Sequence, residues 1–272
     1  MSNKYAVVPQ LEVDDQIWSQ MRAEAVDMAT QDPLLGGRIF NAVFNHKTFE
    51  SALHYRLSRQ LACCDVSSDL VEQAIGDALD SNRQISEIAR ADIVATFERD
   101  PACFRYLEPF LYNKGYLGIQ IYRMAHQLFK MGRKDFALHL QARCSALLSI
   151  DIHPAASMGR GIMIDHAHAV VIGETAVVGD NVSMLHSVTL GGTGKDEGDR
   201  HPKIGDGVLI GAGASILGNI SVGKNARVAA GSVVLKDVPE NRTVAGVPAR
   251  LVGITGPKEP ARTMDQDFSE AT

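Results

Sequence analysis

Aromatic residues are missing from nearly half of this sequence. No Phe, Tyr or Trp lies between Phe136 and Phe268, although the 272-residue chain contains nine Phe, six Tyr and one Trp. A core in that half must therefore be filled by aliphatic side chains. Glycine has the opposite distribution, because only six of the 24 glycines precede residue 150. The two shifts in composition predict a domain boundary near residue 148.

Other absences exclude whole classes of protein. The sequence has no run of about 18 apolar residues, which argues against a membrane-spanning helix. Its first residues lack a basic segment followed by an apolar one, so we expect no secretory signal peptide. A net charge of −5 with mixed signs argues against a nucleic-acid partner. The cysteines form no CxxC pair, and we expect reduced thiols in the cytoplasm at Cys63, Cys64, Cys103 and Cys144.

The first half has the apolar periodicity of amphipathic helices. Trp18, Met21, Ala25 and Met28 fall on roughly one helical face. Asp100, which precedes a proline, is predicted to be the N-cap of a further helix. We predict about seven helices in all: Leu11 to Thr30, Phe40 to Leu61, Ser67 to Leu79, Ile85 to Glu98, one beginning at Asp100, Gly115 to Met131 and Lys134 to Ser149.

An aliphatic residue recurs at every sixth position in the second half. A period of six is neither helical nor a simple strand alternation, and it indicates a parallel β-helix whose inward residues fill the axis. Three six-residue sides make one coil, so about five coils fit between residues 150 and 254. The recurring residues are Ile152, Met158 and Ile164, then Ile172, Val178, Met184 and Leu190, and then Ile204, Ile210, Ile216, Val222, Val228 and Val234.

This period is interrupted twice. A step of eight residues replaces six over residues 164–172, and a step of fourteen replaces six over residues 190–204. The extra residues must loop out of the coil, and loops carry function more often than walls do. The first interruption contains His166, and the second contains Arg200 and His201. Both therefore place histidine beside charged residues.

Several motifs narrow this architecture to one family. They are DIHPAA, GRGIMIDHAHAVVIGETAVVGDNV, SVTLGGTGKDEGDRHPKIGDGVLIGAGASILGNI and VAGVPARLVG in the second half, with ERDPA and PFLYNKG in the first. Over nearly the whole chain they closely resemble serine O-acetyltransferase, the bacterial and plant enzyme that opens cysteine biosynthesis. The resemblance implies that the β-helix is left-handed. We therefore predict an α+β protein with an all-helical domain over residues 1–148, a left-handed β-helix catalytic domain over 149–254 and a flexible tail over 255–272.

The resemblance also implies a reaction and an assembly. The acetyl group of acetyl-CoA, a co-substrate and not a permanently bound cofactor, passes to the hydroxyl of L-serine, and L-cysteine competes as feedback inhibitor. The family forms homotrimers around the β-helices, which often pair into hexamers through the helical domains. Serine and acetyl-CoA bind between neighbouring β-helices.

A hydroxyl nucleophile needs a base, and imidazole suits this role because its pKa lies near neutrality. The resemblance implies that His166 is this base and that Asp151 is the carboxylate that orients it. The alternatives are a structural histidine hydrogen-bonded within a turn and an aspartate that caps a turn.

An amino-acid substrate needs a cation for its carboxylate and an anion for its ammonium group. The resemblance assigns the carboxylate to Arg200, whose guanidinium offers a bidentate fork. It assigns the ammonium group to Asp165 and Asp100, and it makes His201 a further substrate contact. A solvated loop charge is the alternative for Arg200, and the helix N-cap is the alternative for Asp100.

The pantetheine arm of coenzyme A needs a groove lined by small residues, where the backbone is accessible. Gly192, Thr193, Ala212, Gly213 and Ala230 match family positions that line this groove, and Lys224, Lys236 and Arg250 are nearby candidates for the phosphates. The alternative for the small residues is that the corners of the coil require them, and the alternative for the three cations is that they are simply solvated.

Three other functions remain open from the sequence. A hexapeptide acyltransferase acting on homoserine, a sugar or an antibiotic would share the fold and the base. A zinc lyase, like the γ-class carbonic anhydrases that share this fold, would use His166 and His168 as ligands. The histidine spacing of that family does not match this sequence, and we predict no metal. A scaffold without enzymatic activity would not need the histidines at the two interruptions.

The C-terminal residues depart from the family pattern. Many relatives end in isoleucine, and that terminus docks into O-acetylserine sulfhydrylase. This chain ends at Thr272, which argues against that partner. Residues 264–266, MDQ, resemble the tail segment that accompanies inhibition by cysteine.

Overall fold

The structure is a computed structural model that describes residues 15–194, 197–256 and 259–266. It has a helical half and a β-helical half, which meet at Ser149. Helix α8 ends at Leu148, and strand β1 begins at Ile150. The change of architecture therefore coincides with the change in composition.

Eight α-helices make up the described part of the helical half. They are α1 (Gln16–Gln31), α2 (Gly36–Ile39), α3 (Phe49–Leu61), α4 (Ser68–Ser81), α5 (Gln84–Arg99), α6 (Leu107–Tyr112), α7 (Lys114–Lys130) and α8 (Lys134–Leu148). The predicted apolar face of α1 is buried, with Trp18 and Met28 both 5% exposed and Met21 fully buried.

Two helix predictions were wrong. The helix predicted from Phe40 to Leu61 is divided, because a π-helical turn (Phe40–Phe44) ends before α3 begins. The Thr48 hydroxyl accepts a hydrogen bond from the backbone N–H of Ser51 and caps α3. Asp100 is not an N-cap. It follows the last residue of α5, and its carboxylate accepts from the Ala102 N–H at 2.8 Å in a turn, well before α6 begins.

The second half is a three-faced coil of parallel strands, as the six-residue period predicted. The first face contains β1 (Ile150–Ile152), β4 (Val170–Ile172), β7 (Thr189–Gly191), β10 (Ser215–Leu217) and β13 (Val233–Val234). The second contains β2 (Ser157–Met158), β5 (Val177–Val178), β8 (Lys203–Ile204) and β11 (Ser221–Val222). The third contains β3 (Met163–Ile164), β6 (Ser183–Met184), β9 (Leu209–Ile210), β12 (Arg227–Val228), β14 (Arg242–Gly246) and β15 (Ala249–Ile254).

The periodic aliphatic residues are the residues that stack along the axis. Ile172 pairs in register with Ile152 below and Leu190 above on the first face. Glycine follows several of them because adjacent coils approach closely. A Cβ on Gly211 would lie 2.5 Å from the backbone nitrogen of Ala230, and one on Gly205 would lie 2.7 Å from that of Lys224.

The solenoid does not end in a further parallel coil. Strands β14 and β15 pair antiparallel, so the last part of the third face is a hairpin. Beyond it, helix α9 (Pro260–Thr263) packs against α5. The backbone oxygen of Ala261 accepts from the Ser183 hydroxyl at 2.8 Å, and Ala261 is fully buried. Residues 259–266 of the segment predicted as a flexible tail therefore dock on the third face, because Ala261 finds a buried site there.

A buried carboxylate joins the two halves. Asp92 of α5 is fully buried, and its Oδ2 accepts from the Arg123 guanidinium of α7, at 2.7 Å from Nη2 and 2.9 Å from Nε. The same oxygen accepts from the Gln120 amide at 3.0 Å, and Oδ1 accepts from the Ile162 N–H of the β-helix at 2.9 Å. Arg123 Nη2 also donates to the Gly159 carbonyl at 2.9 Å. A buried charge needs this many partners to offset its lost hydration.

A second contact between the halves makes stability depend on pH. His126 Nδ1 lies 2.8 Å from the Pro154 carbonyl, and burial is the main cause that lowers the pKa of His126. The unfolded chain then binds more protons than the folded chain as pH falls below about 6.5, so the stabilisation present above that pH is lost on acidification. Between pH 7.5 and 5.5, we expect wild type to lose more unfolding free energy in urea than His126→Gln. Equal losses would contradict this assignment, because the other titrating groups are common to both proteins.

Candidate active site

The two interruptions lie at different edges of the coil. The edge where the chain passes from the third face to the first comprises residues 165–169, 185–188, 211–214 and 229–232, and we call it the third–first edge. The edge where it passes from the first face to the second includes residues 173–176, 192–194 and 197–202, and we call it the first–second edge. The first face separates the two.

His166 lies on the third–first edge with its side chain in solvent. The side chain is 73% exposed, and Nε2 is 3.5 Å from Asp165 Oδ2. His166, Ala167 and Ala169 all have left-handed backbone, with φ of 56°, 47° and 54°. Such conformations are costly for residues other than glycine and concentrate at functional sites. The extra residues of the first interruption thus form a strained turn that presents an accessible imidazole beside a carboxylate.

His186 is a neighbour of this imidazole that the sequence analysis did not assign to the site. The two rings meet edge to face with centroids 5.9 Å apart. Nδ1 of His186 is buried without a hydrogen-bond partner among the described residues. The sequence signal for it was slight, because residue 186 lies at an uninterrupted corner one coil after His166.

Asp151 is on β1, and its described partner is in the helical half. Its Oδ1 accepts from the Gln141 amide of α8 at 2.6 Å. No hydrogen bond joins Asp151 to His166 in the described part of the chain. Within one chain, the carboxylate that lies beside the His166 imidazole is that of Asp165.

Arg200 lies on the first–second edge, where a carboxylate already holds it. Nη2 donates to Glu174 Oε2 at 2.7 Å, and Nη1 donates to the Gly198 carbonyl at 3.1 Å. The hydrogen bond from Arg200 is the main reason that the pKa of Glu174 is lowered. Glu174 was not predicted to be part of the site, and its one sequence signal is its place directly after a corner glycine.

His201 is buried beneath Arg200, with 7% of its surface exposed. Nδ1 accepts from the Thr175 N–H at 3.2 Å and lies 2.8 Å from the Thr175 hydroxyl. A Cβ on Gly173 would lie 2.0 Å from Nε2, so only glycine leaves room for the ring. Burial is the main cause that lowers the pKa of His201, with the charge of Arg200 second. Nε2 has no hydrogen bond among the described residues.

Contacts made by the preceding residue, Arg99, hold Asp100 beside the β-helix. The Arg99 guanidinium donates to the Ser183 hydroxyl at 3.0 Å and to the Asn181 side chain at 3.3 Å. These contacts hold the end of α5 against the third face. Asp100 therefore lies at the junction of the halves, and its described hydrogen bond is the turn to Ala102.

The predicted coenzyme A residues divide between the two edges. Gly192 and Thr193 are on the first–second edge, where a Cβ on Gly192 would come within 3.4 Å of the Arg200 carbonyl. Ala212, Gly213 and Ala230 lie on the third–first edge, above His166 and His186. Lys236 and Arg250 line a cleft of about 660 Å³ at the C-terminal end of the coil.

The described residues lack a cluster of metal ligands and a membrane-spanning helix. Within residues 15–194, 197–256 and 259–266, no three His, Cys, Asp or Glu residues lie close enough to hold a metal ion. No helix in the same ranges has the length and apolar character needed to cross a membrane. The four cysteines are free thiols.

Comparisons with known proteins agree with this arrangement. The serine acetyltransferase N-terminal family model matches residues 17–121, and the bacterial transferase hexapeptide model matches residues 201–236. A serine acetyltransferase of Salmonella typhimurium is 47% identical over 253 residues, which cover 93% of each chain.

Solved structures give the same result over the whole fold. The serine acetyltransferase of Vibrio cholerae is 49% identical with a TM-score of 0.92, over 93% of this chain and 98% of that one. The Brucella abortus enzyme, solved in complex with coenzyme A, is 54% identical with a TM-score of 0.87, over 89% of this chain and 97% of that one. On this identity and coverage, the chain belongs to the serine acetyltransferase family.

Proposed function

We propose that the protein transfers the acetyl group of acetyl-CoA to the hydroxyl of L-serine, which yields O-acetyl-L-serine and coenzyme A. The observation that carries the proposal is an exposed imidazole on a strained turn in a chain that belongs to the serine acetyltransferase family. Related serine acetyltransferases solved with cysteine and, for the soybean enzyme, with serine are 46% and 49% identical to this chain. They support serine as the acceptor and cysteine as a ligand of the enzyme, and competition of cysteine at the serine site is part of the proposal.

Each predicted site residue has a role in this proposed reaction. His166 removes the hydroxyl proton as the serine oxygen attacks the thioester carbon, and the thiolate of coenzyme A leaves. Asp165, 3.5 Å from the ring, stabilises the imidazolium that forms. Arg200 binds the substrate carboxylate, while Asp100 and Asp165 face its ammonium group.

His201 has two tasks in this proposal. Its contact with Thr175 holds the turn that carries Arg200, and Nε2 remains for a substrate hydrogen bond. Asp151 acts on His166 only after Gln141 releases it or its other oxygen turns toward the ring.

We further propose that each active site lies between two chains. His166 and Arg200 are on different edges of one β-helix, and the small residues proposed for coenzyme A are divided between the same two edges. Packing the third–first edge of one chain beside the first–second edge of the next brings both sets together. Such a head-to-tail contact can close into a ring, and a trimer is the smallest such ring, because two-fold symmetry would place the same edge of both chains at the contact. Pairing of trimers through the helical halves, and a cytoplasmic location in keeping with the free thiols, belong to the same proposal.

The reaction is tested by the loss of thioester absorbance from acetyl-CoA. L-Serine is compared with L-homoserine, with sugars and with no acceptor, each with and without L-cysteine. We expect turnover with serine that cysteine suppresses competitively. Activity on another hydroxyl but none on serine would retain the base and overturn the substrate.

The shared site predicts that two inactive variants rescue each other. His166→Ala and Arg200→Ala damage opposite sides of an interface site, so co-expressed chains form some sites with both residues intact. Random assembly at a head-to-tail interface gives about one quarter of wild-type turnover per site. A site contained within one chain would give no recovery above the two variants measured separately. Co-expression of His166→Ala with itself is the matched control.

A further inference from the structure

A cleft in the helical half carries three arginines and lies away from both edges of the β-helix. It has a volume of about 220 Å³ and is lined by Arg38, Arg56 and Arg59, with Asn41, Ala42, Tyr55 and Gln60. Arg38 comes from α2, and the other two come from α3, where a spacing of three puts them on one face. The polar lining is rich in N–H and O–H donors.

Two of these guanidinium groups converge on one backbone oxygen. Arg38 Nη2 donates to the Leu111 carbonyl at 3.0 Å, and Arg56 Nη2 donates to the same oxygen at 2.5 Å. Arg56 Nε also donates to the Phe110 carbonyl at 2.6 Å. The oxygens belong to the last turn of α6, where cations are favoured. Capping of α6 accounts for one or two charges, but it does not account for the third.

None of the three arginines has a carboxylate partner in the described part of the chain. The charge is nevertheless partly buried, since burial and then the like charge of Arg38 lower the pKa of Arg56 to about 10. Arg38 and Arg59 are exposed and stack near Tyr112 and Tyr55, at 5.1 and 6.0 Å from the ring centroids. Three like charges around one cleft repel each other, and an anion between them offsets that repulsion.

We propose that this cleft binds a small phosphate-type anion, held by Arg38, Arg56 and Arg59. Guanidinium groups match phosphate oxygens bidentately, and free N–H groups of Arg38 and Arg59 remain for this contact. A volume of about 220 Å³ is below the range for drug-sized ligands, so the occupant is inorganic phosphate or a small phosphomonoester. The site is separate from the proposed active site and does not depend on it.

The test is calorimetric titration of the full-length protein with inorganic phosphate and, in a second arm, glycerol 3-phosphate. Sodium chloride at equal ionic strength corrects for screening. Arg38→Gln and Arg59→Gln each remove a charge-assisted contact, and we expect roughly ten-fold weaker binding in each. Arg56 is left in place because it donates to two carbonyls at the end of α6, whereas Arg38 donates to one and Arg59 to neither. Arg83→Gln removes an exposed arginine elsewhere and is expected to bind as wild type does.

Tighter binding in the second arm would identify the ligand as a phosphomonoester, and equal binding would identify it as phosphate alone. Arg59→Gln is also expected to keep wild-type turnover of acetyl-CoA and serine. The proposal is overturned if titration of wild type with phosphate or glycerol 3-phosphate gives no more heat than titration with sodium chloride. It is also overturned if Arg38→Gln, Arg59→Gln and Arg83→Gln all bind phosphate equally. It is also overturned if Arg38→Gln or Arg59→Gln changes the oligomeric state, because the arginines would then serve carboxylates of another copy.

Discussion

Replacement of His166 by alanine is expected to lower turnover with serine by about 10²–10⁴-fold, the usual contribution of a positioned general base. The fold is expected to be unaffected, because the side chain is 73% exposed and its described contacts are with Asp165 in the turn and His186 in the next coil. The measurement is kcat from thioester loss, together with a urea unfolding curve of the same preparation. A lower kcat with unchanged unfolding locates the defect in the chemistry.

The matched control is His168→Ala. This histidine lies in the same strained turn, is exposed, and has Lys114 Nζ as a described neighbour at 3.5 Å from its Nδ1. We expect it to keep turnover within a few-fold of wild type. If both variants lose activity equally, the turn as a whole is required and His166 is not the base. If His166→Ala turns over at the wild-type rate, the assignment fails outright.

Replacement of Asp92 by asparagine is expected to lower the free energy of unfolding by about 3–5 kcal/mol, the cost of leaving a buried ion-pair partner without its counter-charge. The change keeps the volume, but the Arg123 guanidinium would remain buried, at 5% exposure, without a carboxylate. The nitrogen of the new amide would also face a donor, either the Gln120 amide or the Ile162 N–H, whose hydrogen bond the Asp92 carboxylate now accepts. Urea unfolding at fixed protein concentration gives the value, since an oligomer's stability depends on concentration.

An exposed pair provides the comparison for Asp92. Asp77 meets Arg133 at 2.7 Å, but the two side chains are 46% and 37% exposed. Asp77→Asn is therefore expected to cost less than about 1 kcal/mol. The double change Asp92→Leu with Arg123→Met removes both buried charges, and we expect it to be less destabilising than Asp92→Asn alone. Equal costs at Asp77 and Asp92 would show that the buried network does not hold the halves together.

The sequence predicted the wall of the β-helix residue by residue. The step of six is a local register, and every aliphatic residue in that series faces the axis or pairs in register with one that does. The breaks in the step located His166 and Arg200 for the same reason, because extra residues have no place in a coil of constant length.

Partners that are distant in sequence leave no signal in local spacing. Glu174 and Arg200 are 26 positions apart, and nothing local marks the first as the partner of the second. Asp100 was misassigned because a helix cap and a turn after a helix use the same carboxylate-to-backbone hydrogen bond. The docking of residues 259–266 depends on distant contacts, because Ala261 is hydrogen-bonded to Ser183 and Gly207 and its helix packs against α5.

By itself, the sequence determined the two architectures, their junction, and the two places where chemistry departs from the repeat, since all of these are written in short-range spacing and composition. Only the tertiary structure decided that the two interruptions lie on different edges of the coil, that Asp92 joins α5 to the β-helix backbone at Ile162, 70 positions away, and that three arginines from two helices share one cleft. Those features depend on how α5, α7 and α3 pack against elements distant in the chain. Packing of this kind is set by the shape and burial of whole surfaces and not by the spacing of neighbours.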